Sequence, residues 1–176
     1  MGITGTDVTK QTADMVLTDD NFASIISAIE QGRIIFSNIR KFVFFLLSCN
    51  LGEIGTIFLG TLFGWPVPLT AIQLLWMNLL TDGAPALALG MEKGEPGIMA
   101  RPPRPTKEPI INRAMLLALA VQTVAITAVS LLAFWIGSTV FGGEGEGHTM
   151  AFLVLSGCQL IRAYTNRSEH ASVFTI

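Results

Sequence analysis

Two carboxylates, Glu53 and Asp82, lie inside stretches that are otherwise apolar enough to cross a lipid bilayer. The core of a bilayer contains no water to solvate an ionised side chain, so an intramembrane Asp or Glu is a candidate ion or proton site. We therefore expect these two residues to take part in moving a cation across a membrane.

Each carboxylate has amide or hydroxyl companions at helical spacing. Asn50 precedes Glu53 by three residues, so both side chains can face one ligand. Asn78, Thr81 and Asp82 stand at positions i, i+3 and i+4, which lie on one face of a helix. If the two faces meet, five oxygen-bearing side chains converge.

A proline follows the second group of side chains. Pro85 cannot donate a hydrogen bond to the carbonyl of Thr81, and it disfavours α-helical geometry at Ala84. Transporters use such broken helices to hold cations where the freed carbonyls line an enclosed cavity. We expect the break near Asp82 to contribute to the site.

Several chemistries fit these donors. Two carboxylates with further hard oxygen donors suit Ca²⁺ better than metals that prefer sulfur or imidazole. A carboxyl group removed from water also carries protons readily, and hydrogen bonding between helices is a purely structural alternative. At this point Ca²⁺, H⁺ and a structural role all remain open.

Two polar residues of the last apolar stretch extend the candidate set. Gln159 is either a sixth ligand or a bridge between helices. Arg162, one turn later, either extends its charged end to the membrane interface or places its cation near the site, where it would exclude a second metal ion.

The composition favours a membrane protein. Hydrophobic residues make up 51% of the 176 residues and charged residues only 14%, against roughly 25% charged residues in soluble domains. Cys49 and Cys158 both lie in apolar runs and predict no disulfide. We find no secretory signal, no catalytic triad, no phosphate-binding glycine loop and no basic patch for nucleic acid.

The apolar stretches predict an all-α polytopic membrane protein with four transmembrane helices, because about 20 residues cross the hydrocarbon core. The first span is expected to continue a cytoplasmic stalk helix that is capped by Asp19, Asp20 and Asn21. The predicted segments are the edge of a soluble domain (1–20), the stalk (21–41), spans at 42–63, 71–90, 114–141 and 149–165, a loop (91–113) and a tail (166–176).

The charge distribution orients these segments. All 11 Lys and Arg residues fall in segments that a hairpin arrangement places on one side, whereas the connection at 142–148 contains Glu144 and Glu146 and no basic residue. Since basic loops stay in the cytoplasm, the stalk, the 91–113 loop and both termini are predicted to be cytoplasmic.

Four segments together resemble the C-terminal half of the P-type cation pumps, and within them the Ca²⁺-ATPase branch. The similar segments are GTDVTKQTADMVLTDDNFASI (5–25), SCNLGE (48–53), QLLWMNLLTDGAPALALG (73–90) and IMARPPRPTKEPII (98–111). The resemblance implies that residues 1–20 are a short remnant of an α/β phosphorylation domain. It also implies that the four spans correspond to the fifth to eighth transmembrane helices of the family.

The resemblance also implies a ligand set. Asn50, Glu53, Asn78, Thr81 and Asp82 match the Ca²⁺ ligands of the family. Gln159 stands where two-Ca²⁺ reticulum pumps have Glu; the chain is similar in this to plasma-membrane pumps that move one Ca²⁺, although those lack a residue like Glu53.

Motifs that the family uses for ATP chemistry are not found in the chain. The DKTG phosphorylation motif and the TGES loop do not occur, so ATP and Mg²⁺ are expected to act only in an intact parent pump. The expected partners are the lipid bilayer, most simply the plasma membrane, and the missing domains and helices of that parent. The alternatives are a fragment of an H⁺ or Na⁺ pump, and a non-enzymatic cation channel or pump regulator.

Overall fold

The computed structural model describes residues 1–105 and 109–167. The predictions made for residues 106–108 and for positions 168–176 of the tail therefore lie outside the described residues. Within the described ranges all regular secondary structure is helical. The helices are α1 (Asp7–Thr12), α2 (Ala23–Leu62), α3 (Ala71–Trp76), a π-helical segment (Met77–Asp82), α4 (Gly83–Gly90), a 3-10 turn (Ile98–Ala100), α5 (Arg113–Val140) and α6 (Glu144–Thr165).

The chain divides into two compact units. The first unit comprises Met1–Ser37 and Lys93–Pro103, and the second unit comprises Asn38–Glu92 and Arg104–Ile176.

In the first unit, acidic and amide side chains satisfy the start of α2. The Oδ1 atom of Asn21 accepts a hydrogen bond from the backbone amide of Ala23 at 3.0 Å. The carboxylate of Asp19 accepts a hydrogen bond from the backbone amide of Asn21 at 3.2 Å and another from the Ser24 hydroxyl. The hydrogen bond from Ser24 holds the pKa of Asp19 below its ordinary value. The Asn21 contact satisfies the backbone amide of Ala23, one of the donors that the first turn of a helix leaves without an intrahelical partner.

Asp20 ties the N-terminal residues to the same turn. Its carboxylate accepts from the Thr4 hydroxyl at 2.6 Å and from the backbone amides of Ile3 and Thr4 at 3.1 and 2.8 Å. The hydroxyl donor, together with the backbone donors, lowers the pKa of Asp20. Asp20 has a φ angle of 52°, a left-handed conformation that Asp tolerates better than most residues.

One arginine orders the Lys93–Pro103 segment of the first unit. The Nη1 atom of Arg33 donates to the carbonyl oxygens of Ile98 and Arg101 at 2.9 and 2.7 Å. The Arg101 guanidinium in turn lies 2.6 Å from the carboxylate of Glu95. The guanidinium of Arg33 therefore binds two carbonyls of the segment.

In the second unit, α5 and α6 form an antiparallel hairpin with close backbone contact. A Cβ atom added at Gly137 would lie 2.7 Å from the Cα of Gly147, so only glycine permits this approach. The fully buried side chains Phe134 and Leu155 lie in the same apolar cluster beside the crossing. A second cluster joins Phe45 and Cys49 of α2 to Leu89 of α4.

Much of the remaining apolar surface is exposed. Two of the helices described, α2 and α5, are long and apolar enough to cross a membrane, and only 33% and 28% of their most apolar stretches are buried within the structure. Ile72 and Leu79 are 79% and 75% exposed. An outward-facing apolar surface of this kind is typical of contact with lipid or with further apolar helices.

At the Glu92 end of the second unit, two contacts fix the residues that follow α4. The side-chain amide of Asn38 donates to the carbonyl oxygens of Gly90 and Glu92 at 3.3 and 2.6 Å. The carboxylate of Glu92 pairs with the guanidinium of Arg167 at 2.8 Å. The hydrogen bond from Arg167 lowers the pKa of Glu92 and raises that of Arg167.

Candidate ion-binding site

The helix that contains Asp82 is not a regular α-helix. Residues Met77–Asp82 form a π-helical segment between α3 and α4. Pro85 supplies the physical reason, since it has no amide hydrogen for the carbonyl of Thr81, four residues earlier. Single-turn π segments frequently occur at functional sites, and this one positions Asn78, Thr81 and Asp82.

Gln159 of α6 connects the other two elements of the site. Its Nε2 atom donates to Glu53 Oε1 of α2 at 2.7 Å. Its Oε1 atom accepts from the hydroxyl of Thr81 at 2.7 Å. The side chain is fully buried. Three separate segments of the chain therefore meet at one amide group.

Both oxygens of Glu53 accept hydrogen bonds. Besides the Gln159 amide on Oε1, the Nδ2 atom of Asn78 lies 3.3 Å from Oε2 and also donates to the Leu74 carbonyl at 3.0 Å. Glu53 is only 4% exposed. Its carboxylate is thus held by two amide donors and by no cation among the ion pairs of the described residues.

Asp82 has a different environment. It is 2% exposed, and neither of its carboxylate oxygens has a hydrogen-bond partner among the described residues. The thiol of Cys49 lies beside the carboxylate, and Glu53 lies within electrostatic range of it. A buried carboxylate without a partner is costly, and a bound cation would remove that cost.

A cavity of about 580 Å³ reaches Asp82. Asn78 and Asp82 form its polar part, whereas Phe42, Leu87 and Met91 contribute apolar wall. It therefore extends from the buried carboxylate towards the end of α4 at Gly90.

The described residues contain no group of three or more His, Cys, Asp or Glu side chains that could hold a metal ion. Any cation at this site must therefore draw on amide, hydroxyl and carbonyl oxygens in addition to the two carboxylates. Such oxygen donors suit the flexible coordination of Ca²⁺.

Besides Asp82, two other residues singled out in the sequence do not join the hydrogen-bonded network. The Nδ2 atom of Asn50 donates to the Leu46 carbonyl of its own helix at 2.8 Å. Arg162 is 8% exposed; its Nη2 atom donates to the Ser48 hydroxyl at 3.0 Å, and its guanidinium lies 5.5 Å from the centre of the Phe44 ring. The Arg162 cation is therefore buried beside α2, without an ion pair to either site carboxylate in the described residues.

Sequence reasoning did not assign Ser48, Cys49 or Thr127 to the site. Ser48 receives Arg162, and Cys49 lies beside Asp82. The Thr127 hydroxyl of α5 lies 3.4 Å from the Gly52 carbonyl and 2.6 Å from where a Cβ of Gly55 would stand. The one sequence signal that could have pointed to these residues is that Ser48, Gly52 and Gly55 recur at helical spacing near Glu53.

Comparison with known proteins adds evidence of a different kind. The family described as "Cation transporting ATPase, C-terminus" matches residues 66–176. Calcium-transporting ATPase 1 of Bacillus cereus is 44% identical over 192 residues, and the calcium-transporting ATPase of Bacillus subtilis is 45% identical over 179 residues. The human calcium-transporting ATPase type 2C member 1 is 39% identical over 176 residues.

These alignments cover 100%, 99% and 100% of this chain, but 22%, 20% and 19% of the respective relatives. The chain thus spans about a fifth of the length of the relatives that it matches. The resemblance to P-type pumps inferred from the sequence is confirmed, as is the all-α membrane fold. Because the family match takes in more than half of the residues, the chain belongs to the family of cation-transporting ATPase C-terminal regions.

Proposed function

We propose that this chain is the ion-translocating part of an ATP-driven pump that exports Ca²⁺ and returns H⁺. The observation that carries the proposal is the buried meeting of Glu53, Thr81 and Gln159 next to Asp82, whose carboxylate lacks a partner in the described residues. The relatives named above are calcium-transporting ATPases, which favours Ca²⁺ over other cations.

In this proposal the chain crosses the membrane four times, at residues 42–63, 71–90, 114–141 and 149–165. The exposed apolar surfaces of α2 and α5 support the first and the third of these crossings. Both termini lie in the cytoplasm, as the positions of Lys and Arg favour, and the membrane is the plasma membrane. The preceding segments, 1–20 and 21–41, are the end of a phosphorylation domain and the stalk.

The site binds the cation with Glu53, Asn78, Thr81 and Asp82, and with Asn50 and Gln159 as further donors. Coordination by Asn78 or Gln159 requires the amide oxygen to face the ion. The Gln159 oxygen accepts from the Thr81 hydroxyl in the structure, so coordination through this oxygen requires that hydrogen bond to break, whereas the amide nitrogens can continue to donate to Glu53. After release, protons neutralise the vacated carboxylates, since two anions in one dry site repel each other.

ATP hydrolysis belongs to an intact pump in this proposal. Its remaining domains and helices supply the phosphorylated Asp and bind ATP and Mg²⁺, and this chain is inactive without them. Arg162, buried beside Ser48, limits the site to one metal ion by keeping a fixed positive charge nearby.

The decisive experiment is Asp82→Asn in the intact pump. The variant should lose Ca²⁺-dependent phosphorylation from ATP, because the amide removes the charge that attracts the ion. Ser130→Ala is the matched control: Ser130 is also fully buried and its hydroxyl has no partner in the described residues, but it lies on α5 outside the cluster. Unchanged phosphoenzyme in Asp82→Asn would reject the assignment.

Two further measurements separate the alternatives. Stimulation of the intact ATPase by micromolar Ca²⁺, rather than by Na⁺ or by acid alone, identifies the ion. Residues 1–176 reconstituted alone in vesicles should show no Ca²⁺ flux. An ATP-independent flux that Glu53→Gln blocks would instead support a passive channel.

A further inference from the structure

A thiol shares the buried space around Asp82. Cys49 of α2 is 1% exposed, and its side chain lies beside the Asp82 carboxylate. Cys49 stands one helical turn before Glu53, whose carboxylate is also within electrostatic range of the thiol. One sulfur and two carboxylates therefore belong to the same buried region, although spacing along the chain relates the sulfur only to Glu53.

The cavity that reaches Asp82 leads to this sulfur as well. Phe42, Leu46 and Ala86 line the cavity together with Asp82. The same three apolar residues pack against the buried cluster that contains Cys49. The cavity wall and the surroundings of the thiol are thus built from the same side chains. An ion that arrives at the carboxylate through the cavity also arrives beside the sulfur.

The charges at this point can balance a divalent cation. The Asp82 carboxylate is 2% exposed and has no hydrogen-bond partner among the described residues, so both of its oxygens are available as ligands. A thiolate at Cys49 would add a second negative charge. The two charges together neutralise a divalent ion, which matters where little water is present to screen it. Glu53, which accepts hydrogen bonds from two amides, is not needed for this balance.

Metal binding changes the state of the thiol, because the thiolate is the form that ligates a metal. Two carboxylates near a sulfur disfavour a free thiolate, so the S–H bond breaks only as the dication arrives. A metal–sulfur bond replaces it, and the proton passes to the surrounding solution. The guanidinium of Arg162 is within electrostatic range of the sulfur and favours the same change.

We propose that the site at Asp82 also accepts thiophilic divalent cations of the Zn²⁺ and Cd²⁺ class, held by Cys49 Sγ and an Asp82 oxygen. Thiolate ligands select such ions, whereas Ca²⁺ takes oxygen ligands. The described residues form no group of three or more charged or sulfur-bearing ligands, as a resident metal centre would require. Two such ligands suit an ion that passes through. The inference rests on the proposed function and adds a second class of cation to the same site.

The first test follows Cd²⁺ binding to the 176-residue chain purified in detergent. Cd²⁺ bound by a thiolate gives a charge-transfer band in the ultraviolet difference spectrum, and Cd²⁺ bound by oxygen alone does not. The wild type should develop this band, and Cys49→Ser should lose it. Cys158→Ser is the matched control and should keep the band, because Cys158 is the second cysteine of the chain and packs in the other apolar cluster.

A second variant tests whether the carboxylate shares the ion. Asp82→Asn keeps both cysteines, and the Cd²⁺ concentration that half-saturates the band should rise. Excess Ca²⁺ should raise it in the wild type too, because the two ions compete for Asp82. Far-ultraviolet circular dichroism verifies that each variant keeps its helices. A band that survives in Cys49→Ser, or one that neither Asp82→Asn nor Ca²⁺ weakens, would overturn the proposal.

The intact pump separates this proposal from Ca²⁺ export. Phosphorylation from ATP is titrated with Cd²⁺ and with Ca²⁺, and the ratio of the half-saturating Cd²⁺ concentration to that of Ca²⁺ is compared. The ratio should rise in Cys49→Ser and stay at the wild-type value in Cys158→Ser. An unchanged ratio in Cys49→Ser overturns the thiol ligand, even where Asp82→Asn abolishes the Ca²⁺ response. Phosphorylation that responds to Cd²⁺ through Cys49 but not to Ca²⁺ would reject Ca²⁺ export and support the thiol ligand.

Discussion

The Nε2 atom of Gln159 lies 2.7 Å from Oε1 of Glu53, which is 106 residues earlier in the chain. The same amide accepts a hydrogen bond from Thr81. In Gln159→Leu the Glu53 carboxylate loses a buried donor and the Thr81 hydroxyl loses an acceptor. We expect the free energy of unfolding to fall by about 1–3 kcal/mol, measured by thermal or denaturant unfolding of the chain in detergent.

The control for this prediction is Gln122→Leu. The Oε1 atom of Gln122 is shielded from solvent and has no partner among the described residues, so its loss breaks no hydrogen bond of the site. A destabilisation by Gln159→Leu no larger than that of Gln122→Leu would show that the bridge contributes little.

Asp82→Asn should make the protein more stable in alkaline Ca²⁺-free buffer, where protons no longer neutralise the vacated carboxylates. Both oxygens of Asp82 are buried without a partner, and a neutral amide of the same shape is cheaper to bury than a charge. The thermal midpoint in Ca²⁺-free buffer should therefore rise, and the further rise produced by Ca²⁺ in the wild type should vanish. A lower midpoint would indicate that the carboxylate has a structural partner.

Gly137→Ala should loosen the hairpin of α5 and α6. The added methyl group would lie 2.7 Å from the Gly147 Cα and 2.8 Å from the Glu146 carbonyl oxygen, and neither backbone atom can move without shifting a helix. We expect a loss of about 1–3 kcal/mol. Gly157→Ala is the matched control, because a Cβ atom there meets nothing within 4 Å; equal effects of the two substitutions would argue against the close crossing.

The pair of Glu92 and Arg167 predicts a pH dependence. The hydrogen bond from Arg167 lowers the pKa of Glu92 below its ordinary value of 4.5. The pair therefore stabilises the folded protein above pH 4.5, and this stabilisation is lost as the pH falls through the lower pKa of the folded state.

Glu92→Gln should reduce stability slightly at neutral pH and hardly at all in acid. Thermal unfolding of both proteins across this range measures the difference. The difference should also shrink at high salt, since the pair is partly exposed. A difference that is independent of pH would exclude the ion pair as its cause.

Much of the site followed from local spacing. The intervals between Asn78, Thr81 and Asp82, and the position of Pro85, predicted polar groups beside a broken helix, and the structure has a π-helical segment there. What the spacing left open was the role of Gln159, either a ligand or a bridge. Its side chain lies between Glu53 and Thr81, a contact that depends on how α6 packs.

The sequence by itself determined the all-helical membrane character, the isolation of two carboxylates in apolar stretches and the family, because these depend on composition, periodicity and motif. Only the tertiary structure decided which polar groups meet. Glu53 accepts hydrogen bonds from side-chain amides, whereas Asp82 accepts none from the described residues. Asn50 donates to a carbonyl of its own helix, and Arg162 donates to the hydroxyl of Ser48. These differences arise from contacts of α2 with the π-helical segment and with α6. A hydrogen bond requires its two atoms to lie about 3 Å apart. The spacing of residues along one helix cannot predict such a distance to a residue of another helix.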